Sequence, residues 1–395
     1  MKKYNLVVIG GSIVGLTFLL ALKRKVPSIM NIALVEAGSL IPEKSEDVDR
    51  RSIAISPGTI EILKDFGLWK CIQPRAAPIK NIHVSDRGHP GMTLISARQE
   101  GLKELGYVVE SASIVSACQA YLEEKSDVDF LCPNRIVSLT QHDEHVEVRL
   151  SDGSLFETRL IVAADGTDSK TCSLLGLPAD VEHFGQNAIT ADISFHQPHF
   201  GQAFERFTAH GPIALLPMTG QNRMSLVWCV DPVTSERLTG LDQVSFLSQL
   251  QDAYGWRMGA LKKVGVRRSQ PLYSVIRRTL VSHRVVVVGN AAQTLHPVAG
   301  QGFNLGIRDI ATLVEELCIN AEIGDVGRFS GLLCYQERRR FDRKKTIWLT
   351  SFLVYLFSSQ SLNKKLTRNI GLALVDNLPL LRRLLLDWAI GTYPR

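Results

Sequence analysis

Leu6-Val-Val-Ile-Gly10-Gly11-Ser12-Ile13-Val14-Gly15 is the stretch that decides the fold. A short apolar, β-branched run enters a glycine turn, and from Ile13 to Lys25 apolar residues recur at helical spacing. Asn31 to Val35 is a second apolar run, ending at Glu36. Strand, helix and strand within about 30 residues make the βαβ unit that opens a doubly wound parallel sheet. A G-x-G-x-x-G turn in that setting lets backbone N–H groups meet a pyrophosphate at the helix N-terminus. Ser12 stands where the second glycine is usual; it is small enough for close backbone approach and adds a hydroxyl. Glu36 follows Gly15 by about 20 residues, the place of an acid that accepts the hydroxyls of an adenosine ribose. Gly10, Ser12, Gly15 and Glu36 are therefore the first candidate nucleotide ligands.

Two later segments repeat the device of an apolar strand ending in a polar turn. Leu160-Ile-Val-Ala-Ala-Asp165-Gly166 is one, and read alone it is a generic Asp-Gly turn. Val285-Val-Val-Val-Gly289-Asn290-Ala-Ala-Gln293-Thr-Leu-His296-Pro297-Val-Ala-Gly300-Gln-Gly302-Phe-Asn304 is the other. Its strand feeds a Gly/Pro-rich loop that opens a helix predicted over 303–320. Such a loop presents N–H groups and the positive end of a helix dipole to an anionic ligand. Gly300 and Gly302 leave no side chain between backbone and ligand. Long structured connections in compact domains are usually functional. His296 admits two readings: an acid/base group, or a loop histidine that hydrogen-bonds backbone.

Elsewhere, Ile79–Asp86 and Met92–Ile95 predict a hairpin, and 145–150 with 154–164 predict a second. Strands are expected at 188–195, 203–208, 212–217 and 223–230, with a helix at 242–253. Helices are expected over 57–70, 113–124 and 328–345, then apolar helical segments over 346–390. The pattern predicts one discontinuous nucleotide-binding domain (1–75, 100–178 and 270–337), an inserted β-rich domain (76–99 and 179–269) and C-terminal helices over 338–395. In the insert, Phe204, Phe207, Ile213, Leu215, Leu216 and Met218 suit either an apolar substrate groove or an ordinary sheet core. Trp228, Tyr254 and Trp256 are expected as core or wall.

Composition narrows the class. The 395 residues, 45% apolar and 21% charged, exclude bulk disorder and suffice for a core without staples. Seven cysteines without a C-x-x-C pair argue against a disulfide framework and a zinc site, and fit a reducing, cytoplasmic compartment. No triad, paired-carboxylate motif or metal-ligand spacing stands out. No run of about 20 apolar residues predicts a spanning helix, and Met1-Lys2-Lys3 is not followed by a signal-peptide cleavage site. The net charge of +6 does not point to nucleic acid, because it is local. Residues 338–395 hold 12 Lys+Arg against 3 Asp+Glu, and the remainder hold 33 against 36. Basic residues beside a Trp/Tyr-bearing apolar helix suit an anionic membrane surface; a helical cap on the nucleotide domain is the other reading.

In order and spacing, the glycine turn, the Asp-Gly strand end and the 289–304 segment resemble the class A FAD-dependent aromatic hydroxylases, whose fold is that of p-hydroxybenzoate hydroxylase. The resemblance spans essentially the whole chain. Asp49-Arg50-Arg51-Ser-Ile-Ala-Ile is similar to the family's D-x-R-x-x-A-L segment, whose arginine, here Arg51, lies against FAD. Gly289-Asn-Ala-Ala-Gln-Thr-Leu-His-Pro297, His83–His89, Leu105–Glu110 and Gly211–Pro217 resemble the ubiquinone-biosynthesis hydroxylases, most of all those acting on 2-octaprenyl-6-methoxyphenol. Two departures stand out: Asn290 replaces the wider family's aspartate, and Ser113-Ile114-Val115 supply no arginine where the family often has one.

The resemblance implies an α/β fold: a discontinuous, Rossmann-like FAD-binding domain, an inserted β-sheet substrate domain and a C-terminal helical segment. It implies Gly10, Ser12, Gly15, Glu36, Arg51, Asp165, Gly289, Asn290, Pro297, Gly300, Gly302 and Asn304 as FAD-binding residues, and no metal. NADPH or NADH would reduce the FAD, O₂ would add to the reduced flavin, and the hydroperoxide would oxygenate a prenylated phenol. Peripheral membrane contact, a ubiquinone-biosynthesis complex and a homo-oligomer are compatible with it, at the inner face of the cytoplasmic membrane. Two alternatives stay open: a hydroxylase of a small soluble phenol, and a catalytically silent FAD-binding subunit.

Overall fold

A computed structural model of the chain describes residues 1–39, 51–87, 92–125, 127–357 and 391. Burial on both faces accounts for its most apolar strands. Leu6–Ile9 lies inside a six-stranded sheet ordered 281–282, 285–287, 161–163, 6–9, 32–35, 128–131. All pairs are parallel except the first. Leu6 and Val8 join a core with Leu16, Phe18 and Leu19 of helix α1 (Ile13–Lys25). Val7 and Ile9 join a second core with Val146, Val148 and Phe156 of a four-stranded sheet. A parallel sheet covered on both sides reads as continuous hydrophobic runs, as these do.

The other large sheet has nine strands. Its order is Gln293–Thr294, Arg268–Arg277, Ala179–Phe195, Arg223–Val230, Gly211–Pro217, Gln202–Thr208, Asn81–Asp86 and Met92–Ser96, with Leu261–Val264 on a branch. Here the strands alternate. Ile189, Ile193, Ile213, Leu215, Leu226 and Trp228 pack under the helix Gln243–Tyr254. Ala203, Ala214, Leu216 and Val227 face the other way, toward a cavity. Arg268–Arg277 straddles the 269/270 boundary drawn from sequence and pairs along its length with Ala179–Phe195.

Two long helices close the chain described: α2 (Gln301–Ile323) and α3 (Phe329–Phe357). Their contact is ionic and buried. Asp309 of α2 accepts from Arg339 Nε at 2.8 Å, and Arg339 also meets Asp342 at 2.7 Å. Arg308 Nε reaches Asp342 at 2.8 Å. Arg343 donates to Gln293 Oε1 and to the carbonyls of Arg277 and Ala292. Burial opposes the Arg339 charge, yet the Asp309 and Asp342 carboxylates outweigh that and hold its pKa above the ordinary value.

Several expectations change. The helix expected over 57–70 is two, Pro57–Asp65 and Trp69–Ile72, because Gly67 turns the chain with φ +67°. The second arm of the 145–164 hairpin divides: Leu155–Thr158 stays with the hairpin, and Ile161–Ala163 crosses into the parallel sheet. The helix expected over 328–345 and the helical segment expected from 346 are one, since α3 runs continuously to Phe357. The basic run is in part internal: Arg339 and Arg343 are buried, and Arg338 pairs with Glu315 and Glu316. The turn residues 88–91, Asp49 and Arg50, and the helical expectation beyond 357 lie outside the described residues, apart from Gly391.

Removing one partner of a buried ion pair strands the other charge. Asp309→Ala should therefore lower unfolding free energy by about 3–5 kcal/mol in urea denaturation. An unchanged midpoint would show that Asp342 alone suffices to hold Arg339.

Candidate active site

The glycine turn is set by close packing. Gly10 has φ +108°, and a Cβ there would stand 2.4 Å from the Ala164 carbonyl oxygen. At Gly15 a Cβ would stand 1.9 Å from the Gly10 carbonyl oxygen. Gly15 thus lets α1 cross its strand closely and does not line the cavity. Ser12 is the N-cap of α1, yet its hydroxyl caps no N–H and the first turn holds no acid. The leading N–H groups of α1 are left for another acceptor. At the end of Ile32–Val35, Glu36 accepts from the N–H groups of Gly11 at 2.6 Å and Gly38 at 2.9 Å.

The 289–304 segment is a clamped loop. Gly289, at φ +61°, sits against Val14, and its N–H reaches Asp309 Oδ2 at 3.3 Å. Gln293 Nε2 donates to the same oxygen at 2.7 Å. Gly300 is the left-handed N-cap of α2, with no side-chain cap. Asn304 ties the loop to the 51–56 segment: it donates to the carbonyls of Ala54 and Gly300 and accepts from the Ser56 N–H. It therefore acts behind the wall, as Gly289 does. A Cβ at Gly302, by contrast, would meet nothing within 4 Å.

His296 is buried in this loop, edge-on to Phe184. Its Nδ1 accepts from the Val298 N–H at 3.2 Å, which puts the ring proton on Nε2. Burial pushes its pKa down to about 4. The ring is neutral at neutral pH, so it brings no positive charge to the site. Asp165 is also committed locally: its carboxylate accepts from Ser169 Oγ, the Thr171 N–H and Thr171 Oγ1, fixing the turn after Ile161–Ala163.

These parts border one cavity of about 940 Å³. Gly10, Ser12, Glu36, Arg51, Asp165, Asn290, His296, Pro297, Gly300 and Gly302 all line it; Gly15, Gly289 and Asn304 do not. Facing the loop is the nine-stranded sheet, with Ala203, Glu205, Ala214, Leu216, Val227 and Cys229. Of the residues expected to form an apolar groove, Phe204 and Leu216 line the cavity, while Ile213 and Leu215 are core. Trp228 and Tyr254 are core too, and Trp256 is exposed. Arg135, Lys170 and Glu205 also line it; no motif in the sequence marks them.

The family model described as "FAD binding domain" matches residues 3–347. Ubiquinone hydroxylase UbiL of Rhodospirillum rubrum is 34% identical over 99% of this chain and 90% of its own. The chain belongs to this family of FAD-dependent ubiquinone hydroxylases. The 3-demethoxyubiquinol 3-hydroxylase of Escherichia coli is 26% identical over 98% of both chains. Among solved structures, p-nitrophenol 4-monooxygenase PnpA of Pseudomonas putida superposes with a TM-score of 0.80 at 16% identity, covering 100% of both chains. Klebsiella pneumoniae HpxO complexed with FAD and uric acid gives 0.76 at 17%, covering 99% of this chain and 97% of its own. At those identities the likeness is one of fold.

A member of this family is a flavoprotein monooxygenase that uses FAD with NAD(P)H, and the geometry fits the cofactor. Two helix N-termini without side-chain caps border one cavity, Gly302 leaves backbone bare beside it, and Glu36 stands at the turn with two oxygen acceptors.

His296 gives this site an acid sensitivity. Its folded pKa lies below the ordinary 6.5, so between the two values only the unfolded chain takes up the proton. The contribution is complete above pH 6.5 and is lost as pH falls toward 4, on the order of 3 kcal/mol in all. His296→Asn should flatten that part of the stability curve. The difference between parent and variant in urea midpoints from pH 7 to 4 measures it.

Proposed function

We propose that this enzyme hydroxylates the aromatic ring of a prenylated phenol of the 2-polyprenyl-6-methoxyphenol type in ubiquinone biosynthesis, using NAD(P)H and O₂. One observation carries the reading: a single cavity joins the glycine turn and clamped loop to an apolar sheet wall. Bound FAD supplies the electron transfer from NAD(P)H and the activation of O₂. The chain does the rest. N–H groups at Ser12 and the first turn of α1 hold the pyrophosphate, and Glu36 accepts ribose hydroxyls. The N-terminus of α2 at Gly300–Gly302 stabilises negative charge by its N–H groups and dipole. Ala203, Ala214, Leu216 and Val227 exclude water and seat the ring and the start of its apolar tail.

The test is anaerobic bleaching of the yellow protein by NADPH with and without prenylated methoxyphenol. Bleaching stimulated by the prenylated ring, followed by a hydroxylated product on admitting air, is the expected result. Equal stimulation by short, tail-free phenols would favour a small soluble substrate, and no bleaching with any nicotinamide and phenol would remove the enzyme reading.

The enzyme's position in the cell is part of the same proposal: cytoplasmic, in peripheral contact with the membrane. Among the described residues no helix is long and apolar enough to cross a membrane. Yet α3 exposes Phe341 (73%), Trp348 (63%) and Tyr355 (62%) on one face, with Phe352 stacked on Trp348. Interfacial aromatics of this kind anchor proteins at lipid headgroups. Truncation before 338 is a poor test, because it removes the buried Arg339 and Arg343. Trp348→Glu should instead reduce binding to anionic liposomes several-fold with the Tm unchanged; undiminished sedimentation with vesicles would refute the contact.

A further inference from the structure

Glu205 stands on the cavity side of strand Gln202–Thr208. Its cross-strand neighbours are Ala214 and, across the parallel pair, Val84. The wall around it is completed by Ala203, Leu216, Val227 and Cys229. The next residue, Arg206, reaches Ser85 Oγ and the Ala253 carbonyl instead, at 3.4 and 3.3 Å. Among the described residues no hydrogen bond or ion pair meets the Glu205 carboxyl, and burial alone acts on it, pushing its pKa up to about 7. A carboxyl half-buried on an apolar wall without a partner is costly and needs a reason. On an apolar wall that borders a flavin-type site, the reason is a ligand with a hydroxyl.

We propose that Glu205 is a catalytic base that receives the phenolic hydroxyl of the substrate. This rests on the reading that the substrate is a phenol. The carboxylate takes the hydroxyl proton: the O–H bond breaks, its electron pair stays on oxygen, and the phenolate ring becomes a stronger nucleophile toward the oxygen donor. The proton returns to that oxygen when the product leaves, so the carboxylate is restored. Catalysis of this type contributes about 10²- to 10⁴-fold and is best served by a pKa near the working pH. On the same sheet face, two strands away, is Cys229, which its own burial, and then the Glu205 charge, keep protonated. The other titratable groups around the cavity are Glu36, Arg51, Arg135, Asp165, Asp168, Lys170 and His296.

The holoenzyme is compared as wild type, Glu205→Gln and Glu205→Asp. Two ligands are used: the prenylated methoxyphenol, and a prenyl-substituted nitrophenol whose ionised form absorbs visible light. The wild type should bind the nitrophenol ionised, and its kcat should fall as pH drops through about 7. Glu205→Gln should retain FAD, bind the probe un-ionised with a similar Kd, and lose about 10²-fold or more in kcat with little change in KM. Its pH profile should lack the acid limb, and Glu205→Asp should restore part of both. Wild-type kcat and pH profile in Glu205→Gln would overturn the assignment. So would a wild type that leaves the bound probe un-ionised, a result that needs no variant to fold. A wild type indifferent to every prenylphenol would instead sink the substrate reading, and this proposal with it.

Discussion

The site depends on one buried carboxylate. Asp309 holds the Gly289 N–H, the Gln293 amide and the Arg339 guanidinium at once. These three partners come from the end of a central strand, the loop beyond it and the last long helix. Without Asp309 the loop would lose one anchor and Arg339 one of its two counter-charges. A buried carboxylate in this position is stabilised by donors on both of its oxygens. The cavity wall at 290–302 is therefore positioned from behind, by residues that do not line it.

A division of labour follows. Glycines at 10, 15 and 289 act through what a side chain would strike, namely the Ala164 and Gly10 carbonyls and Val14. Asn304 and Asp165 act through hydrogen bonds that shape turns. Ser12, Asn290, Pro297, Gly300 and Gly302 are candidates that open onto the cavity, and Glu36 does so while its carboxylate also accepts from the Gly11 and Gly38 N–H groups.

Much of this was legible in the sequence where local chemistry decides. The βαβ unit showed because its strands are buried on both faces and its turn needs glycine. The hairpin Asn81–Asp86 with Met92–Ser96 and the four strands from 179 to 230 showed through alternation. The strands Ser52–Ile55 and Gly106–Glu110 did not, being short, mixed in burial and paired over long separation. Arg135, Lys170 and Glu205 reach the cavity only through tertiary pairing, so no local pattern announces them. Asn304 was legible as a site residue but not as a clamp, because its partners Ala54 and Ser56 lie some 250 residues earlier.

Beyond Leu332 and Tyr335, which join the apolar core, helix α3 is arranged inside out. Arg339, Asp342, Arg343, Thr346 and Thr350 are its buried side, while Phe341, Trp348, Phe352 and Tyr355 are outside. Charge pairs away from water lie beyond the reach of mobile counter-ions, whereas surface pairs are screened within about 10 Å at ordinary salt. Apart from the exposed Arg338–Glu315 pair, the anchoring of this helix thus depends little on ionic strength, despite a sequence that reads as a polybasic run. The outer face carries Arg340 and Lys344 beside its aromatic rings, so salt acts on that face and hardly on the buried pairs behind it.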